Sequence, residues 1–220
     1  LFRLECVLPP NSAFAPQSVH IEVSGLGASP TLEGATVTYS VLLNSIEPTR
    51  GSIAGGTLIT LAGDGFSTRL GDLDVEIGGV ACRAVSTNFS FVVCVSGGVS
   101  SAGSATVALK VRGVSATCVG SCAYEYDAAY TPTLDSANVT ATTDTSWTFG
   151  LYGGGFALPA SANSVTIGGV ACAPTAGTAG VLYCTAAPPL AGLQTVRLFN
   201  AWGEALAVLP PQIDGAPLII

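Results

Sequence analysis

A five-residue motif that occurs twice, each time with a cysteine twelve positions later, constrains the fold of this chain more than any other feature. Gly78-Gly79-Val80-Ala81-Cys82 is followed by Cys94, and the same five residues return at 168–172, followed by Cys184. Both cysteines recur at an offset of 90 residues (172 − 82 and 184 − 94). So regular an offset in a chain of 220 residues predicts tandem domains built on one plan.

The same offset divides the chain. Residues 43–130 form a complete repeat and residues 131–210 a divergent one, whereas residues 1–42 match the C-terminal half of a repeat. Residues 211–220 are expected to begin a further repeat, because their end resembles Pro132-Thr133-Leu134. Cys6 occupies the second-cysteine position of the half repeat. We therefore expect Cys6 to be unpaired here, with its partner upstream and the chain a fragment.

Composition and patterning favour β structure. Charged residues make up only 10% of the chain, whereas helices usually carry Glu and Lys on their wet faces. Short alternating runs such as Val75-Glu76-Ile77 indicate strands, and Gly78-Gly79 indicates a tight turn between strands. The sequence predicts an all-β fold. In the divergent repeat, residues 205–209 are the expected closing strand.

Seven cysteines in a charge-poor β chain indicate disulfides and an oxidising compartment. The expected bridges are Cys82–Cys94, Cys172–Cys184 and the short pair Cys118–Cys122. Zinc is the alternative, but the only histidine is His20 and no second short cysteine pair lies at finger spacing. We predict neither a metal nor a cofactor.

Three features together resemble the IPT/TIG domain, an immunoglobulin-like β-sandwich. They are Ile46-Glu47-Pro48 with Gly51, the Gly55-Gly56-Thr57 segment leading to Gly65-Phe66, and the Gly-Gly-Val-Ala-Cys motif with its cysteine partner. The complete repeat is most similar to the extracellular IPT arrays of fibrocystin-like proteins. The resemblance covers nearly the whole chain, and it implies tandem two-sheet sandwiches with a binding or spacing role.

Charge and residue content argue against several other functions. The net charge is −7 and the cations are scattered, which disfavours a nucleic-acid-binding surface. No apolar run is long enough to cross a bilayer. With one histidine, no Ser-His-Asp set recurs, so we predict no catalytic residues. Asp64, Asp72 and Asp74, with Glu47, lack counterparts one repeat later, which favours a solvated acidic edge over a calcium site.

Two sequons and one tryptophan are the remaining candidate sites. Asn88-Phe89-Ser90 and Asn138-Val139-Thr140 predict N-glycosylation, and chance in a chain rich in Ser and Thr is the alternative. Trp202 precedes Gly203 in an expected hairpin turn. Packing of its indole within the core or the turn is the favoured interpretation, and an exposed contact point is the other.

These features predict a non-enzymatic part of a large secreted or cell-surface glycoprotein. Its modules would serve adhesion, protein–protein interaction or receptor spacing, with other proteins or copies of itself as partners. One alternative is a structural subunit of an extracellular filament, because so few charges leave neutral β surface that does not repel a neighbour. A weaker alternative is an accessory glycan-binding module beside an enzyme.

Overall fold

The computed structural model describes residues 17–19, 22–25, 27–28, 36–189, 192–207 and 212–214. Within these ranges the chain consists of strands and turns, and its helical elements are three short 3-10 helices at Leu70–Asp72, Ala128–Tyr130 and Ala160–Ala162. The predicted all-β fold is confirmed.

The N-terminal part contributes four two-residue strands. β1 (Gln17–Ser18) pairs with β4 (Thr36–Val37), and β2 (Glu22–Val23) pairs with β3 (Gly27–Ala28), both antiparallel. Cys6 and His20 lie outside the described residues. The unpaired state of Cys6 therefore stays a prediction.

The central module, residues 42–126, is a sandwich of two sheets. The strands of its first sheet are β5 (Leu42–Glu47), β7 (Leu58–Asp64), β10 (Arg83–Thr87), β11 (Phe91–Val95) and β14 (Thr117–Cys118). Those of its second sheet are β6 (Arg50–Gly51), β8 (Leu73–Ile77), β9 (Val80–Ala81), β12 (Gly103–Val111), β13 (Val114–Ser115) and β15 (Ala123–Tyr126). The spatial orders are β10-β11-β7-β5-β14 and β6-β15-β12-β8-β9, with β13 beside β12. Pairing is antiparallel except for β14 on β5 and β6 on β15.

The core of the central module lies between these sheets, because alternate side chains of each strand point inward. In β12, Leu109 and Val111 are buried while Lys110 between them is exposed. Ile59 and Leu61 of β7 belong to the same cluster and are fully buried. The period-2 pattern of the sequence thus places one face of each strand in the core.

The C-terminal module, residues 133–214, repeats this plan. Its strands are β16 (Thr133–Thr142), β17 (Trp147–Gly154), β18 (Ser164–Ile167), β19 (Val170–Gly177), β20 (Val181–Ala186), β21 (Leu193–Asn200), β22 (Gly203–Glu204) and β23 (Gln212–Asp214). The order is β16-β17-β20-β19-β18-β21-β22, with β23 also on β21. β19 pairs with β18 through Cys172 and then with β20, so one strand joins the two layers.

The closing strand of the C-terminal module is β23, which pairs with residues 193–195 of β21. The expectation that residues 205–209 form this strand is wrong. Leu206 instead makes a parallel bridge with Thr133, as Thr117 pairs with Leu42 in the central module. Leu206 thus lies beside β16 in the first layer, and the chain returns from there to the second layer, where β23 pairs with β21.

β23 lies beyond residue 210, at which the sequence predicts the end of the divergent repeat. Residues 212–214 lie in the segment for which the sequence predicts the start of a further repeat, yet they pair with β21 of the C-terminal module. In the structure this module therefore extends to at least residue 214.

Candidate functional site at the joint between the modules

Each module carries a disulfide at the same place in the fold. Cys82–Cys94 and Cys172–Cys184 both have a Cα–Cα distance of 5.5 Å. The first cysteine of each pair lies where the chain passes from one layer to the other, and the second is fully buried in the neighbouring strand. Each bond therefore fixes the crossing segment inside the core.

A third disulfide is found in the central module only. Cys118 ends β14 in the first sheet, and Cys122 precedes β15 in the second, with a Cα–Cα distance of 6.2 Å. The bond thus links the rims of the two sheets. Ala207 occupies the position of Cys118 in the C-terminal module, as judged from the shared backbone pattern around Leu206 and Thr117.

Both sequons lie at sheet edges. Asn88 follows β10, the outermost strand of the first sheet, and its Oδ1 accepts hydrogen bonds from the backbone N–H groups of Ser90 and Phe91, both at 2.8 Å. Its Nδ2, to which a glycan would be attached, makes no hydrogen bond within the described residues. Asn138 is exposed in the edge strand β16. Both asparagines are therefore placed where a glycan can extend into solvent.

The aspartates of the central module have separate partners rather than a shared centre. Their contacts are Asn44 with Asp64 (3.1 Å), Lys110 with Asp74 (3.7 Å), and Ser67 and Arg112 with Asp72 (2.6 and 2.8 Å). The hydrogen bonds from Ser67 and Arg112 lower the pKa of Asp72. Across the described ranges, no group of three or more His, Cys, Asp or Glu side chains is placed to hold a metal ion.

The linker between the modules, residues 127–132, is held against the central module. Asp127 Oδ1 accepts from Ala129 N at 2.8 Å and so caps the short helix Ala128–Tyr130. Thr131 Oγ1 accepts from Ile53 N at 2.9 Å and donates to the Asp127 carbonyl at 2.8 Å. Arg50 adds an ion pair with Asp127 at 3.7 Å. The linker therefore continues the central module instead of forming a loose tether.

Beyond the linker, a turn of the C-terminal module enters a recess in the central module. Trp202 lies in the two-residue turn that connects β21 to β22, and Gly203 and Glu204 form β22; we call these three residues together the turn. We call the recess the socket. It consists of residues from the segment between β6 and β7, namely Ser52, Gly55, Gly56 and Thr57.

Four hydrogen bonds join the turn to the socket. Ser52 N donates to the Trp202 carbonyl at 2.9 Å, and Glu204 N donates to the Gly55 carbonyl at 2.8 Å. The Ser52 hydroxyl donates to the Glu204 carbonyl at 2.7 Å, and the Thr57 hydroxyl donates to the Trp202 carbonyl. Ser52 and Thr57 are fully buried, so these bonds satisfy polar groups that water cannot reach. Two of the four bonds thus join backbone to backbone, and the other two join a side-chain hydroxyl to a backbone carbonyl.

Close packing at the joint requires glycine on both sides. A Cβ atom at Gly203 would overlap the carbonyl oxygen of Gly55 and lie 2.9 Å from the Ser52 Cβ. A Cβ atom at Gly56 would lie 2.9 Å from the backbone nitrogen of Glu204, and φ of Gly56 is 77°. Since such φ values and such close backbone approach suit glycine alone, these residues determine the fit.

Aromatic and charged side chains surround the hydrogen-bonded contact. The Trp202 ring packs edge-on against Tyr130 with the centroids 4.3 Å apart, and the Arg50 guanidinium lies 5.4 Å from the Tyr130 centroid. Arg197 holds the Glu204 carboxylate with two bonds of 2.7 and 2.8 Å, which raise the pKa of Arg197. Trp202 remains 39% exposed. Trp202 thus contacts the linker and also faces solvent.

Of the predicted site residues that the structure describes, only Trp202 lies at the joint. The socket, Tyr130 and the Arg197–Glu204 pair are missed by sequence reasoning. Two signals are present in the sequence, and one is that Gly203 stands where the corresponding hairpin of the central module has Val114. The other is Gly55-Gly56-Thr57, which the divergent repeat lacks.

The fold and this joint define a class: tandem immunoglobulin-like β-sandwich modules of an extracellular protein, each with a disulfide in its core. A sequence model of the IPT/TIG domain matches residues 42–126. The central module is an IPT/TIG domain, as predicted.

Fibrocystin proteins are among the relatives. Human fibrocystin-L is 31% identical over 115 residues, which are 50% of this chain and 3% of that protein. Mouse fibrocystin-L is 36% identical over 95 residues, 41% of this chain and 2% of that protein. The chain thus spans only a few per cent of the length of these relatives. Its predicted extracellular location is confirmed.

Among solved structures, the full extracellular region of plexin A4 is similar to 84% of this chain. The similarity covers 16% of the plexin chain at 18% identity, with a TM-score of 0.47. In the described parts of the present chain, none of the helices has the length and apolar character needed to cross a membrane.

Proposed function

We propose that this chain is a non-enzymatic spacer of a large secreted or cell-surface glycoprotein. Its IPT/TIG modules would hold interaction surfaces at a fixed distance and angle for adhesion or receptor binding. The partners are other proteins, and the hydrogen-bonded joint is the observation that carries the proposal. Two modules on a loose tether would present their surfaces in many orientations, whereas the socket and the turn favour a single one.

Glycans at Asn88 and Asn138 belong to the same proposal. An exposed sheet edge carries unpaired backbone groups and is a template for pairing with another chain. Asn88 adjoins one edge strand and Asn138 lies in another. Bulky sugars at these positions would keep neighbouring molecules from pairing through β10 and β16, and this would favour single extended molecules.

The filament is the second candidate, and an exposed apolar surface favours it. Leu58 of β7 and Phe91 of β11 lie on neighbouring strands and are 57% and 36% exposed. Lateral contact between copies would bury both side chains. Glycans at the sheet edges would oppose this contact, so the glycosylation state decides between the two candidates.

Electron microscopy of protein secreted from mammalian cells, with analytical ultracentrifugation over a range of concentrations, tests the proposal. We expect monodisperse elongated particles, and intact mass should show a glycan at each sequon that is lost in Asn88→Gln and Asn138→Gln. Regular fibres formed by fully glycosylated protein would overturn the spacer and support the filament.

A further inference from the structure

We propose that the socket is selective for its neighbour: it accepts the turn of a following module only if that turn has glycine at the position of Gly203. This inference rests on the proposed spacer function and adds to it a rule for which modules are joined rigidly. The socket is thus an interaction surface whose partner is a β-hairpin turn with a bare backbone at one position.

The first observation is steric. Gly203 is buried, and its backbone lies against the Gly55 carbonyl and the Ser52 side chain. Its φ of 131° lies outside the conformations that other residues adopt readily. A side chain at this position would therefore both strain the turn and hold the two backbones apart, and the hydrogen bond from Glu204 N to the Gly55 carbonyl would be lost.

The second observation is that the hairpin of the central module cannot enter such a socket. Val114 occupies the position of Gly203, because Val111 pairs with Val114 as Asn200 pairs with Gly203. In the central module the positive φ values fall instead on Arg112 and Gly113, at 51° and 81°. Its turn therefore has another shape and a branched side chain at the contact point.

The third observation is that the C-terminal module has no socket. In the central module the chain leaves β5 and pairs with β15 through β6 before β7 begins, and the socket lies in this crossing segment. In the C-terminal module β16 runs directly into β17 as a hairpin. Its turn is closed by Thr143, whose N–H and hydroxyl both donate to the Ser146 carbonyl at 2.8 Å.

The pair of modules therefore has one socket and one turn that fits it, and these face each other. The central hairpin does not fit such a socket and the C-terminal module does not provide one. A segment of this kind would act as one rigid element, and its joints to any other module would be of a different type. The rule is readable from sequence: Ser-x-x-Gly-Gly-Thr in one repeat and glycine at the position of Gly203 in the next.

The test uses the whole 220-residue chain. Gly203→Val places valine at the joint, as at the same position of the hairpin of the central module. Val114→Gly is the matched control, because it makes the reverse change in that hairpin, which is exposed. We expect Gly203→Val to accelerate exchange of the Glu204 amide by about tenfold or more, since one buried backbone bond is lost. Small-angle X-ray scattering should show a broader distribution of shapes. Val114→Gly should leave both readouts unchanged.

Thr57→Val alters the socket without touching the turn. It should reproduce the change in scattering while the exchange of β21 amides stays slow, so unfolding of the C-terminal module cannot be mistaken for opening of the joint. Wild-type scattering and slow Glu204 exchange in both Gly203→Val and Thr57→Val would overturn the inference. That result would leave the spacer intact, whereas fibres or a flexible wild-type chain would count against the spacer itself.

Discussion

The two modules agree in their cores and differ at the ends that meet a neighbour. The disulfides Cys82–Cys94 and Cys172–Cys184 have the same sequence separation of 12 and the same Cα–Cα distance. Ile59 and Phe149 occupy the same place beside the buried cysteine, and both are fully buried. The repeated part of the sequence therefore encodes the sandwich, and the divergent part encodes how one sandwich contacts the next.

The difference arises from a single segment. In the central module residues 48–57 pass to the other sheet and leave buried polar groups, Ser52 and Thr57, that a neighbour can satisfy. In the C-terminal module the equivalent segment satisfies its own groups through Thr143 and Ser146. A closed hairpin needs no partner, whereas an open crossing does.

Removal of a module's core disulfide should give the largest effect. Cys82→Ala with Cys94→Ala and Cys172→Ala with Cys184→Ala open loops of the same length, so each should cost its own module about 3 kcal/mol of unfolding free energy. Cys118→Ala with Cys122→Ala, a shorter loop, should cost about 2 kcal/mol. Hydrogen exchange with urea follows the two modules separately. If removal of one core disulfide lowers the unfolding free energy of its module far less than removal of the other does, the two modules are not equivalent.

Alkaline pH should destabilise the central module selectively. Burial, together with nearby Tyr124, raises the pKa of Tyr126 from 10.0 to about 12. The folded state therefore favours the neutral phenol. Its contribution to the stability of the folded state is fully present below pH 10 and is lost as the pH rises towards 12. We expect a loss on the order of 2 kcal/mol. The corresponding closing strand of the C-terminal module, Gln212–Asp214, contains no tyrosine, so it lacks a counterpart of Tyr126.

Urea denaturation followed by circular dichroism from pH 9 to 11.5 measures this loss. Fluorescence of Trp147 and Trp202 provides the internal comparison, because both tryptophans of the chain lie in the C-terminal module. Tyr126→Phe should flatten the pH dependence. If Tyr126→Phe leaves the alkaline loss unchanged, burial of this phenol is not its cause.

At the joint itself, Ser52→Ala should cost about 1–2 kcal/mol, because the Glu204 carbonyl and the Ala54 N–H both lose their partner. The readout is the exchange rate of the Glu204 amide. Thr142→Ala is the matched control, since Thr142 lies one repeat offset of 90 residues after Ser52, in the hairpin of the C-terminal module, and is exposed. Equal effects of the two changes would show that the socket has no special role.

The smallest effect concerns Asp72, whose counterpart in the C-terminal module is Ala162. Hydrogen bonds from Ser67 and Arg112 lower the pKa of Asp72. The ionised carboxylate therefore stabilises the fold at neutral pH, and this stabilisation is lost as the pH falls through the lowered pKa. Asp72→Asn should slightly destabilise the central module at pH 7. Once the pH has fallen below the lowered pKa of Asp72, the variant and the wild type should be equally stable, and amide exchange near Leu73 measures this stability.

Much of the fold could be predicted from the sequence, because the features that determine it are local and repeated. Strand alternation, glycine turns and the Gly-Gly-Val-Ala-Cys motif predict the all-β fold, which is confirmed, and IPT/TIG domains, of which the one at residues 42–126 is confirmed. The closing strand could not be assigned correctly, since residues 205–209 and 212–214 are both short segments and only pairing with β21 distinguishes them. The joint depends on contacts between residues about 150 positions apart, such as Ser52 and Glu204, and no local pattern reports these.

Residual dipolar couplings of the wild-type chain in a dilute aligned medium test most directly whether the turn and the socket fix the two modules relative to each other. Couplings from strands of both modules should fit one alignment tensor with the orientation of the structure. Two tensors of different magnitude, one for residues 42–126 and one for residues 133–214, would show independent motion and contradict a rigid joint.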